Sequence, residues 1–137
     1  MTTENGKTGI PEVYEDLLRS TAVAHVATIG PKGEPQVNPV WFDPGRRVKI
    51  SQTKTRQKYQ NLNRDRRIAL SIVDPENPYR YLEIRGEVVR IEEDPNIDFI
   101  STMAKKYLGL DKYPYHQPDD ERLVVFVRPE HTTQMGA

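Results

Sequence analysis

Within residues 21–53, three strand-like segments are separated by two tight turns, and this spacing limits the fold more than any other feature of the chain. Residues 21–29, TAVAHVATI, read as a buried strand. Residues 30–34, GPKGE, are turn-forming by composition, since Gly and Pro supply backbone angles that strands do not use. A second strand follows over 35–42, PQVNPVWF, and a second tight turn at 43–46, DPGR. Residues 48–53 then alternate Val48, Ile50 and Gln52 against Lys49, Ser51 and Thr53, the period of a half-buried strand. The first half of the chain is therefore expected to be a meander of hairpins. Pro39 falls inside the second strand. Having no N–H, it marks an edge, a bulge, or backbone facing something other than a neighbour.

The second half continues the pattern with longer pieces. Strands are expected at 67–73, 79–92 and 123–127, with Gly86 placed where a bulge or barrel bend would sit. Pro11 opens a helix to about Arg19, with Tyr14, Leu17 and Leu18 as its apolar stripe. Asp94 followed by Pro95 reads as an N-cap and first helical position. Ile97, Ile100, Met103, Ala104, Tyr107 and Leu108 then share a helical face that ends at Gly109. Residues 1–9 read as a flexible lead, 110–121 as an irregular link and 131–137 as a trailing tail. The expectation is one domain over 10–137, with six antiparallel strands in a small barrel under helical caps.

Composition narrows the chemistry. There is no cysteine, which removes disulfides, thiolate metal sites and cysteine nucleophiles. The three histidines, His25, His116 and His131, have no ligand spacing, so no metal site is expected. His25 alternates with Val23 and Ala27 and reads as a core or barrel-face residue. Hydrolase, zinc-protease, P-loop and dinucleotide-binding motifs are absent. No stretch is apolar enough to span a membrane, and the N-terminus has no secretory h-region, so a cytoplasmic location is expected.

Charge is the informative exception. The chain is neutral overall, yet residues 46–67 hold nine of its twenty basic residues and one acid, Asp65. Within that run a strand breaks into the polar turn 53–58, TKTRQK, and resumes as a short helix with Tyr59 and Leu62 at i, i+3. A helix start has unpaired N–H groups and a partial positive charge, so cations beside it favour a bound phosphate. Arg56 offers a bidentate fork and Lys58 a point charge. As residues of an exposed turn, they are expected to matter little to stability. Trp41, the only tryptophan, is either a core aromatic or a wall for a flat ring. Nucleic acid would need exposed aromatics interleaved with the cations. Only Tyr59 provides one, so no nucleic-acid partner is expected.

Four segments carry a family likeness across residues 13–127: AHVATIGPKGEPQ at 24–36, PVWFDPG at 39–45, ISQT with RQKYQNL and DRR inside 50–67, and RYLEIRGEV at 80–88. In order and spacing the chain resembles the pyridoxamine 5′-phosphate oxidase-like flavin and deazaflavin oxidoreductases. The resemblance implies a Greek-key-like FMN-binding split β-barrel, working as a homodimer with the cofactor site at the subunit interface and a small-molecule substrate. It also implies that the cofactor phosphate lies on Arg56, Gln57 and Lys58, and the ring along Asn38, Pro39, Val40 and Trp41 and along Ser51, Gln52 and Thr53. The chain lacks the C-terminal Trp and Arg signature of true pyridoxamine-phosphate oxidases. Its compact length and turn pattern look more like the branch using the deazaflavin coenzyme F420, with FMN as the alternative cofactor. A non-catalytic cofactor-binding protein is the alternative to an F420-dependent oxidoreductase, and no catalytic acid or base is assigned.

Overall fold

A computed structural model describes residues 10–45 and 48–136. The expected lead at 1–9, together with Arg46, Arg47 and Ala137, lies outside the described residues. The strands are β1 (Ala24–Ile29), β2 (Pro35–Val40), β3 (Phe42–Asp43), β4 (Val48–Thr53), β5 (Arg67–Asp74), β6 (Asn77–Glu93) and β7 (Arg122–Met135). The helices are α1 (Glu15–Arg19), entered through a 3-10 turn at Glu12–Tyr14, α2 (Gln57–Arg64) and α3 (Asp98–Leu108).

All strands form one antiparallel sheet in the order β2-β1-β5-β6-β7-β4-β3. β2 and β3 are joined by Trp41 alone, so a single extended segment pairs with β1 at one margin of the sheet and with β4 at the other. The sheet thus curls into the split barrel expected from the sequence. Its inner face carries Val26, Ile50, Leu70, Ile72, Leu82, Ile84 and Val125, and α1 closes one end with Tyr14, Leu17 and Leu18. Burial of this set, at about 25 cal/mol per Å² of apolar surface, is the main favourable term for the fold.

Three expectations are corrected. The second strand is two: Trp41 leaves the ladder, which makes seven strands rather than six. Pro39 does lie on an edge strand, paired in register with His25. The expected tail at 131–136 is mostly strand, since β7 continues to Met135 and pairs Tyr81↔Met135 through Arg85↔His131 with the first half of β6. The β7 side of that pairing, residues 130–135, is exposed on both faces except for the half-buried Thr132, so no hydrophobic alternation announced it. α3 starts at Asp98, not at Pro95: residues 94–97 form a turn with Ile97 left-handed at φ 53°. The Asp94 carboxylate still caps the helix, accepting from the N–H of Phe99 at 3.1 Å and of Ile100 at 3.2 Å. His25, read as a core or barrel-face residue, takes the second place, exposed on the outer face of β1. The bulge at Gly86 is present, between Arg85 and Gly86 opposite Pro129.

Candidate functional site: a cationic cleft where the barrel splits

Phe42 pairs with Ile50 and Asp43 with Lys49. Extending that register would set Trp41 against Ser51, Val40 against Gln52 and Pro39 against Thr53. Those pairs do not form, because β2 turns away to β1. The strands diverge, and the residues that would have paired line a cleft of about 270 Å³ instead. Asn38, Pro39, Val40 and Trp41 form one wall, and Ser51, Gln52 and Thr53 the other, with Arg56 and Lys58 at the turn beyond β4. Gln57 is the one expected site residue that does not line it; its amide donates to Asn61 Oδ1 at 2.8 Å instead.

The turn is held in place by α2. Asn61 is fully buried and donates to Thr28 Oγ1 at 3.0 Å and to Gln36 Oε1 at 3.1 Å, while Leu62 enters the core. These contacts seat the helix against β1 and β2, so its N-terminus opens toward the cleft. Arg56 occupies the N-cap in an extended conformation; no side chain caps the helix and no acid lies in its first turn. The first N–H groups of a helix lack intrahelical partners and attract negative charge.

Lys58 corrects the expectation of an exposed turn. It is 5% exposed, and its Nζ donates to Asn38 Oδ1 at 2.9 Å. Burial, with the charge of Arg56 adding to it, pulls its pKa down to about 8. Among the described residues, the Arg56 and Lys58 side chains form no ion pair and no carboxylate lines the cleft. A buried ammonium without a counter-ion is unfavourable unless an anion joins it.

The other described cations of the cluster face elsewhere. Lys54 pairs with Glu93 at 3.4 Å and Glu121 at 3.5 Å, Lys49 with Asp43 at 3.4 Å, and Arg67 with Asp65 at 2.6 Å. Arg64 donates to the Ile29 carbonyl at 2.7 Å. The density of positive charge in sequence therefore overstates the site: among the described members of the run only two reach the cleft.

Four lining residues come from distant segments and were missed: Ile100 on α3, Tyr113 and Tyr115 on the link after it, and Arg122 at the start of β7. Trp41 stacks on Tyr107 with ring centroids 5.1 Å apart and planes 5° apart, and meets Tyr113 edge-on at 6.1 Å. Tyr107 is anchored by donating to the Ala22 carbonyl at 2.8 Å, and burial pushes its pKa up to about 12. Trp41 is therefore both things the sequence left open: its ring packs with the α3 cluster around Ile97, Ile100 and Met103, and it borders the cleft. Tyr113 meets Tyr115 edge-on at 5.7 Å, and Tyr115 is 62% exposed at the mouth. The tyrosine-rich link carried the only signal for this wall, an aromatic cluster in a loop.

The donor set suits a phosphate at Arg56, Lys58 and the start of α2, with a planar ring against the aromatic wall. Residues 10–136 match the family model described as Pyridoxamine 5′-phosphate oxidase. The chain belongs to the pyridoxamine 5′-phosphate oxidase family. Among solved structures, it is similar to a protein titled F420 Reductase, at 38% identity over 90% of this chain and 98% of that one, with a TM-score of 0.81. A conserved hypothetical protein of Mycobacterium tuberculosis shares the fold at 21% identity, covering 98% of this chain and 89% of that one, with a TM-score of 0.74. So does General Stress Protein 26 of Bacillus anthracis, at 13% identity, 88% of each chain and a TM-score of 0.64. No curated protein matches the chain. As a split-barrel member of this family, it is of the oxidoreductase type, with a flavin or deazaflavin cofactor. Among the described residues, no cluster could hold a metal ion and no helix is long and apolar enough to cross a membrane.

Proposed function

We propose that this protein is an F420-dependent reductase that passes a hydride from the deazaflavin to a small unsaturated organic acceptor. The observation that carries the reading is the cleft itself: Arg56, Lys58 and Arg122 without a carboxylate, beside the wall of Trp41 and Tyr113. The identity with the F420 reductase supports the deazaflavin over FMN. When bound, the cofactor supplies the hydride chemistry; the protein holds its phosphate on Arg56 and Lys58, supports its ring on the β2 and β4 walls and screens it from water. Among the residues lining the cleft, none is placed as a dedicated acid or base.

The working unit in this reading is a homodimer whose partner completes the cleft. An apolar groove of about 350 Å³ on the outer face, floored by Ala27, Ile29, Pro35 and Ala69, gives a second copy a surface to cover. Open margins of a curled sheet are commonly covered in this way.

Titration of the purified protein with F420 and with FMN, read through Trp41 emission, tests the assignment. F420 is expected to quench Trp41 with the tighter affinity. Arg56→Ala and Lys58→Ala each remove a charge-assisted bond and should weaken F420 about 10- to 150-fold. Lys54→Ala, whose cation faces Glu93 and Glu121, should leave binding nearly intact. If both cleft variants bind as the parent does, the phosphate site is misassigned; tighter FMN binding would reverse the cofactor.

A further inference from the structure

Arg122 has no task in the phosphate site. It starts β7 opposite Thr53, yet its guanidinium runs back along β4: NH1 donates to Ser51 Oγ at 3.3 Å, and NH2 to the Tyr113 hydroxyl at 3.2 Å. The guanidinium carbon lies 4.6 Å from the Tyr113 ring centroid, a cation-π contact. Its Nε–H is buried and has no hydrogen-bond partner. The adjacent acid, Glu121, is turned to Lys54. Among the described residues Arg122 forms no ion pair, and its side-chain partners are neutral hydroxyls.

An arginine that serves only structure pairs with a carboxylate, as Arg80 does with Asp16 and Asp74 although its own Nε–H is also unpartnered; the missing counter-charge is what sets Arg122 apart. A guanidinium placed against an aromatic ring, hydrogen-bonded only to neutral hydroxyls and lacking a counter-charge, is instead prepared for an oxygen-bearing anion. Ser51 lies two residues back along β4 from Thr53, so this seat is one pleat removed from the cationic turn.

We infer that Arg122 is a second anion seat at the aromatic end of the cleft, taking a planar, negatively charged oxygen edge of the ligand held there. That chemistry has two sources: the oxygen-rich edge of the cofactor ring, or a carboxylate on a conjugated acceptor. The inference rests on the cleft being the cofactor and acceptor site. It deepens that reading by assigning charge recognition to both ends of the cleft, so that neutral aliphatic acceptors are poor ligands.

Three probes separate the sources: F420, the corresponding deazaflavin without its phosphate and tail, and sodium cinnamate compared with cinnamyl alcohol. Affinities come from Trp41 quenching, and melting curves of the free protein report folding. If the ring edge is the source, Arg122→Gln weakens both deazaflavins by the same factor, about tenfold or more. If the acceptor is the source, deazaflavin binding holds and the preference for cinnamate over its alcohol disappears. Arg122→Lys keeps the charge but loses the fork, and falls between parent and Arg122→Gln. The inference is overturned if both variants bind every probe within about twofold of the parent, or if they lower the melting temperature while leaving all affinities alone. Failure of the parent to bind any deazaflavin would instead sink the proposed function, and the cinnamate comparison would still judge Arg122.

Discussion

Replacing Lys58 with methionine should make the free protein more stable and a poorer binder at the same time. The side chain is buried, donates once, to Asn38, and has no carboxylate nearby. Its pKa moves from the ordinary 10.5 to about 8 because burial disfavours the charged form. At about 1.4 kcal/mol per pH unit, the ammonium costs the folded state about 3 kcal/mol at pH 7. Methionine matches its length, removes that cost, and forfeits the hydrogen bond to Asn38, worth about 1 kcal/mol. The net gain is about 2 kcal/mol, or roughly 5–10 °C in melting temperature for a domain of this size. The pH dependence carries a definite sign. Between pH 8 and 10.5 the unfolded chain holds a proton that folded Lys58 has released, so the parent gains stability as pH rises through that window. The variant has no such gain, and its advantage at pH 7 should shrink by pH 9.5. Melting curves at the two pH values, beside F420 titrations, measure both effects. A variant that melts at or below the parent at pH 7, or an advantage unchanged at pH 9.5, would refute the picture of Lys58 as a buried, uncompensated cation awaiting an anion.

Arg80 is the opposite kind of buried cation, tied to Asp16 at 2.7 Å and Asp74 at 3.1 Å, and Arg80→Leu should lower the midpoint of urea unfolding. The Arg80 hydrogen bond lowers the Asp16 carboxyl pKa, and the Glu76 N–H, followed by Arg80, lowers that of Asp74, so the Arg80 share of stability is present above about pH 4 and fades below it; the variant should show a somewhat flatter acid limb. Gly86→Ala would drive a methyl group into the carbonyl oxygen of Arg128 at the bulge, and should lower the melting temperature sharply or prevent folding. Trp41→Phe should keep most stability but weaken ring binding, whereas Trp41→Ala should also loosen α3, seen as lost near-ultraviolet dichroism. Light scattering at micromolar concentration should give about twice the 15.8 kDa chain mass, and a clean monomer would remove the intersubunit site.

The hairpin meander, the apolar stripe of Tyr14, Leu17 and Leu18, the bulge at Gly86 and the pairing of Arg56 with Lys58 at a helix start were all legible in the sequence. Each is a local matter, decided by backbone preference and by a periodicity that spans a few residues. Asn61 is the buried anchor of α2, through hydrogen bonds to Thr28 and Gln36, which lie far away in sequence. What the sequence could not state was which elements become neighbours. Period-two alternation says which side of a strand faces inward but does not name its partner, so the departure of Trp41 from the ladder, which opens the cleft, stayed hidden. The same limit concealed Arg122, seventy-one residues from the serine it touches, and the pairing of 131–135 with β6. Burial, too, is a tertiary quantity: Lys54 and Lys58 look alike in the chain. Only the packing of α2 against β1 and β2 leaves one paired with Glu93 and Glu121 and encloses the other beside Asn38.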